Sequence, residues 1–256
     1  MWWACRTLWH LNTAALYLGN WQQSLEYCRR ALAHGRAVND LRLQVAGLWR
    51  TGATHVFRGD PHEGFRWFEE SLALSPAPFD DAMVRMARGY GLVRAGDVAT
   101  GTAELAEALV WFERSRLSFT RTMTALRLSE GQLMQGERPR ARALLEEVRA
   151  TSRQLGYGYF EGVAERLLGE SFLPDDPARA SGHVETAMRI LREIGAQNEL
   201  AKTLMSHAEI MRSRGECGQA RQLLEQASEI FEAIGTLDEP ARVRAALATL
   251  SGSLPR

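Results

Sequence analysis

The side chains that could carry chemistry in this chain are few and scattered. Its three cysteines are Cys5, Cys28 and Cys217. No two form the Cys-x-x-Cys pair that zinc binding or dithiol exchange would use. Lys202, the one lysine, is not in a Gly-x4-Gly-Lys-Ser/Thr loop, so no phosphate cradle is expected. There is no His-Glu-x-x-His helix and no Gly-x-Ser-x-Gly elbow. His55 and His62 fall on opposite sides of a predicted turn. Cys28 reads as a small buried hydrophobe. Cys217 opens a helix, where its thiol could be acidified, but no histidine or carboxylate pair stands near it in the chain. His207 reads as a satisfied core histidine. No catalytic residue, metal ligand or cofactor is predicted.

The acidic residues have structural readings. Asp80-Asp81 and Asp175-Asp176 stand where helices begin, and carboxylates there cap the helix or complement its dipole. Glu130, Glu165 and Glu209 recur at about one level of successive helices and read first as a solvated face. The basic clusters Arg29-Arg30 and Arg138, Arg140, Arg142 are interleaved with glutamates. Formal charge balances, with 31 basic and 31 acidic residues. Neither nucleic acid nor membrane is therefore an expected partner.

Recognition by shape and packing is the remaining chemistry, and it needs a scaffold. Turn residues set a register at Gly19-Asn20, Gly59-Asp60, Gly96-Asp97, Gly136-Glu137, Asp175-Asp176 and Gly215-Glu216, with spacings of 40, 37, 40, 39 and 40. A repeat of this length is one supersecondary unit that buries its apolar face only by stacking on its neighbours. Five residues after each anchor stand Ser24, Gly64, Gly101, Ala141, Ala180 and Ala220. Twelve after stand Ala31, Ser71, Ala108, Val148, Ala187 and Ala227. Such residues let two helices approach closely. Pro61, Pro139 and Pro177 suit the first turn of a helix. Leu155-Gly156, Ile194-Gly195 and Ile234-Gly235 close the later repeats. No strand-like alternation bounded by hairpin signals appears.

The spacing predicts an all-α chain: one domain over 1–256, with repeats at about 1–38, 39–77, 78–116, 117–157, 158–197 and 198–237, then a capping helix at 240–251. The fifth repeat is the weakest, because Leu173-Pro174-Asp175-Asp176-Pro177 replaces the glycine turn. The start, Met1-Trp2-Trp3-Ala4-Cys5-Arg6, has no helix N-cap, as expected of a piece cut from a longer chain. Scattered cysteines and the lack of a long apolar run suit a reducing cytoplasm. The near-total use of arginine over lysine, with much alanine, suggests a bacterial source.

Gly19-Asn20-Trp21-Gln22-Gln23-Ser24-Leu25-Glu26-Tyr27-Cys28-Arg29-Arg30-Ala31-Leu32 resembles the tetratricopeptide family, although these units are longer than that family's. Longer units of this kind are similar to the C-terminal helical arms of bacterial signalling proteins. Those include LuxR-type ATP-dependent regulators and cyclases or kinases with an ATPase module followed by repeats. Phe231-Glu232-Ala233-Ile234-Gly235-Thr236-Leu237-Asp238-Glu239-Pro240 resembles the closing segment of such arms. The family's proline after the second helix is mostly missing; Pro76 is the clearest instance.

The resemblance implies a right-handed superhelical solenoid whose first helices line a concave groove. It implies a protein or peptide partner in a regulatory system, without enzymatic activity. A small-molecule-sensing arm and a self-association arm are the alternatives. Projected onto the groove, the partner-binding residues are Trp9, Thr13, Tyr17, Trp49, Phe57, Met86, Tyr90, Arg94, Leu126, Glu130, Met134 and Met205. Trp, Tyr, Phe and Met on one face would suit an apolar peptide or amphipathic helix; ordinary core packing is the competing reading.

Overall fold

The structure is a computed structural model describing residues 2–74 and 77–252, with the side chains of 2–5 and 251–252 left outside the description. Pro76 and the side chains of Trp2, Trp3 and Cys5 thus lie outside the described residues. Thirteen helices and no strands occur among the described residues. They are α1 (Trp2–Leu18), α2 (Trp21–Ala37), α3 (Leu41–Arg58), α4 (Pro61–Leu74), α5 (Pro78–Ala95), α6 (Val98–Arg114) and α7 (Ser118–Met134). After these come α8 (Arg138–Leu155), α9 (Gly158–Phe172), α10 (Pro177–Glu193), α11 (Gln197–Ser213), α12 (Cys217–Ile234) and α13 (Glu239–Gly252). Six helix–turn–helix pairs and a last helix follow the predicted register, including the fifth pair.

Turn chemistry explains the boundaries. The five anchor glycines have φ between 79° and 98°, the left-handed conformation that ends a helix and that glycine adopts without a Cβ clash. Gly156, Gly195 and Gly235 close second helices in the same way. Two other second helices end on non-glycine residues in that conformation, Asn39 (φ 52°) and Arg116 (φ 54°). Asn20, Asp60, Asp97 and Asp176 accept backbone N–H bonds from residues three positions on. Glu137 and Glu216 make no such bond.

Asp80 and Asp81 sit inside the first turn of α5, where Ala77 occupies the cap. They complement the dipole instead of capping. Asp81 pairs with Arg85 at 2.6 Å, and buried Asp80 faces Arg42 at 3.4 Å.

The small residues mark the helix crossings. All six residues five after the anchors are buried, as are all six residues twelve after. A Cβ on Gly101 would stand 2.5 Å from the Gly89 carbonyl oxygen across the pair. Phe68, Leu105 and Phe112, then Leu145, Leu191 and Phe231, fill the space between crossings. Each such side chain contributes about 1.5–3 kcal/mol by leaving water.

The helices group into two compact units, Met1–Gly136 and Glu137–Arg256. In the first unit, α1, α3, α5 and α7 touch one another across repeats and make the inner layer; in the second, α9 touches α11 in the same way.

Candidate functional site

The inner layer of the 1–136 unit is built from rings and guanidinium groups. Trp49, Phe57, Met86, Tyr90 and Leu126 are buried there. Phe57 packs on Tyr90 with ring centroids 5.4 Å apart, and Tyr17 on Phe57 at 6.4 Å. The Tyr17 hydroxyl reaches Met123 Sδ at 3.4 Å, so α1 and α7 meet across the inner side of this unit. Of the predicted groove residues, these buried ones form a packed floor. Trp9, Thr13, Tyr17, Arg94 and Glu130 remain partly open, and Met134 is 56% exposed. Met205 is partly buried on α11 of the 137–256 unit.

Two arginines that the groove projection passed over organise this floor. Arg50 lies over the Trp49 ring at 4.6 Å and the Trp9 ring at 5.6 Å. Its Nη1 donates to Asn12 Oδ1 (3.2 Å) and Thr13 Oγ1 (3.0 Å), while its Nε finds no acceptor among the described residues. Burial pulls its pKa down to about 10, against weaker raising effects of Cys28 and Tyr17. The residue as a whole is half-buried.

Arg127 is only 6% exposed. It lies 5.2 Å from the Tyr90 ring and 5.3 Å from the Phe57 ring, and its Nη1 approaches Met86 Sδ at 2.6 Å. No carboxylate among the described residues pairs with Arg50 or Arg127. Glu130 is engaged by the Tyr90 hydroxyl at 3.2 Å and by Arg94 at 3.9 Å. Burial also raises the Tyr17 pKa, opposed by the charges of Arg127 and Arg50.

The inner helices of the 137–256 unit carry an ionic network. Arg166 pairs with Glu170 (2.7 Å) and Glu199 (3.0 Å), and Lys202 with Glu199 (3.0 Å). Glu165 is 3% exposed and takes His183 at 2.6 Å and Arg153 at 3.4 Å. The expectation of a solvated face at Glu165 is therefore corrected: three arginine and histidine partners offset its burial, Arg149 at 3.8 Å being the third. Exposed Glu209 pairs with Arg212 of its own helix.

His207 is also corrected. It is half-buried beside an open recess with Glu185 and Met188, its Nδ1 has no partner among the described residues, and burial lowers its pKa. No group of three or more potential metal ligands occurs among the described residues, and no described helix is long and apolar enough to cross a membrane.

The arginines had a signal in the repeat. One position after the central groove row stand His10, Arg50, Ala87, Arg127, Arg166 and Ser206. Four residues after each arginine of that column stand Thr54, Gly131 and Glu170. Only Arg166 thus has an acid one turn away on its own helix.

No family model matches the chain, and no curated protein matches it in sequence. Solved structures share the fold. The apo form of RapI is 17% identical, with a TM-score of 0.69 over 90% of this chain and 84% of that one. A Rap protein complexed with Competence and Sporulation Factor is 12% identical, with a TM-score of 0.57 over 97% of both chains. A STAND ATPase with a tetratricopeptide repeat sensor from Pyrococcus horikoshii is 9% identical, with a TM-score of 0.55 over 90% of this chain and 38% of that one. The chain has a tetratricopeptide-type helical-repeat fold.

Proposed function

We propose that this chain is a non-enzymatic protein- or peptide-binding module of a bacterial signalling or transcription-regulatory system, working in the cytoplasm. Its six helix pairs and last helix act as one repeat domain, and the partner lies on the inner face of the first helices. One observation carries the reading: in the 1–136 unit that face joins a buried aromatic floor to partly open Trp9, Thr13, Tyr17 and Arg50. Aromatic and arginine side chains of this kind anchor partners when the groups around them exclude water. The fold is shared with a Rap protein complexed with Competence and Sporulation Factor and with a repeat sensor of a STAND ATPase, which supports a regulatory setting.

The test is a selection of peptides from a displayed random library against the whole chain. Selected peptides should lose at least tenfold in affinity on Trp9→Ala or Tyr17→Ala, with circular dichroism unchanged. Peptides that bind these variants as well as wild type, yet respond to changes on the outer faces of α2, α4 or α6, would refute the reading.

A further inference from the structure

The inner face of the 1–136 unit carries positive charge that its own carboxylates leave unbalanced, and we propose that the missing charge is a carboxylate of the bound peptide, held by Arg50 and Arg127. This deepens the reading above and rests on it.

The first support is a surplus of donors. Arg50 satisfies only its Nη1 group, through neutral Asn12 and Thr13. Its Nε has no acceptor among the described residues, and neither has the indole N–H of Trp9, whose ring it faces. Among the described residues Arg127 donates to the thioether of Met86, a weak acceptor. The Tyr17 hydroxyl, near enough to feel both cations, also reaches a thioether. Cations in a poorly hydrated place are costly unless an anion joins them.

The second support is internal to the repeat. Arg166 occupies the same repeat position as Arg50 and Arg127, is buried like Arg127, and takes two carboxylates, Glu170 and Glu199. The position that supplies Glu170 holds Thr54 after Arg50 and Gly131 after Arg127. A ligand carboxylate would take the place that Glu170 holds beside Arg166.

The third support is shape. Arg50 lies over two indole rings and Arg127 over two further rings, so each planar guanidinium has aromatic neighbours and N–H groups still to be matched. A planar carboxylate matches such a group with two parallel N–H bonds. The acid can be a peptide's terminal carboxylate or a Glu or Asp side chain.

The probes are N-acetyl-phenylalanine for a terminal carboxylate, N-acetyl-glutamate α-amide for a side-chain carboxylate, and N-acetyl-phenylalanine amide as the neutral control. Arginine Nε–H NMR signals of the whole chain, assigned through Arg50→Lys and Arg127→Lys, report binding at the site itself. One or both acids should shift the Arg50 and Arg127 signals with at least tenfold higher affinity than the neutral amide, and the tighter acid identifies the source. Arg127→Gln should reduce that affinity at least fivefold, while Arg189→Gln on the exposed side of α10 leaves it unchanged.

Equal shifts by acid and amide would overturn the charge recognition while leaving inner-face peptide binding in place. No shift by either acid at millimolar concentration would also overturn it. The acid–amide comparison uses the unaltered protein, so a variant that fails to fold does not blunt the test.

Discussion

The inner layers of the two units solve the burial of arginine differently. In the 137–256 unit, Arg166, Lys202 and Arg242 meet Glu170, Glu199 and Glu239, so charges balance within the chain. In the 1–136 unit, Arg50 and Arg127 meet indole, phenyl and phenol faces and neutral acceptors. A balanced network locks its helices together and leaves little for a ligand to complete. A cation on aromatic faces recovers only part of its lost hydration, about 0.5–2 kcal/mol by cation–π attraction. The remainder is available to a partner that brings the opposite charge. The difference separates a supporting half from a receiving half built on one repeat.

Substitutions sharpen or break that contrast. The largest effect is expected at Glu199→Gln, which leaves buried Arg166 and Lys202 short of a carboxylate; urea denaturation should show a loss of about 3–5 kcal/mol. Its counterpart Glu130→Gln, in the receiving half, should lose about 1 kcal/mol, the scale of one hydrogen bond. Equal losses would erase the distinction.

Packing comes next. Ala141→Trp and Ala220→Trp, at fully buried crossings, should each cost about 1–3 kcal/mol or more, against nearly nothing for exposed Glu225→Gln. Gly101→Ala should destabilise by a similar 1–3 kcal/mol or so, because its Cβ would meet the Gly89 carbonyl. Gly182→Ala, with nothing within 4 Å, should instead stabilise α10 by about 0.5–1 kcal/mol.

Titration gives smaller, unit-specific effects. Burial pushes the Cys28 thiol from 9.0 up to about 11. The folded state therefore keeps this proton longer than the unfolded chain, and the associated stability is lost as pH rises from 9.0 to about 11. In a Cys5→Ser, Cys217→Ser background, alkylation of Cys28 should accelerate with a midpoint near pH 11; an ordinary thiol profile would contradict its placement. His55 in the first unit and His207 in the second are both lowered from 6.5 by burial. Each adds stability above pH 6.5 that fades as pH falls below it, and NMR titration of their ring protons should give midpoints under 6.5.

Much of the scaffold was legible because its signals are local. A glycine that must turn left-handed and a small residue at a crossing each act within one or two turns of chain. Asn39 and Arg116 were not legible as helix ends, since side chains in that conformation depend on the flanking helices and not on their own type. In the candidate site, Trp9, Thr13 and Tyr17 could be projected from helix geometry. The burial of Trp49, Met86 and Tyr90 could not, because it depends on packing between repeats, as Phe57 of α3 packs on Tyr90 of α5. Arg50 and Arg127 stand one position beside the apolar row, on the edge of the projected groove. Reading the next column of the repeat, with the residue four positions on, exposes both the arginines and the absence of their acids. The burial of Glu165 was not legible for a different reason: its partners come from α8 and α10, which helix periodicity cannot bring near.

The contrast reduces to one substitution made twice at one repeat position. Arg166→Leu and Arg127→Leu should be compared by urea denaturation under the same conditions. Arg166→Leu should lower stability by about 3 kcal/mol, because Glu199 is left buried with a partner lost. Arg127→Leu should leave stability at or above that of the unaltered chain, because it removes a buried cation that has no carboxylate. A loss at Arg127 as large as that at Arg166 would contradict the account.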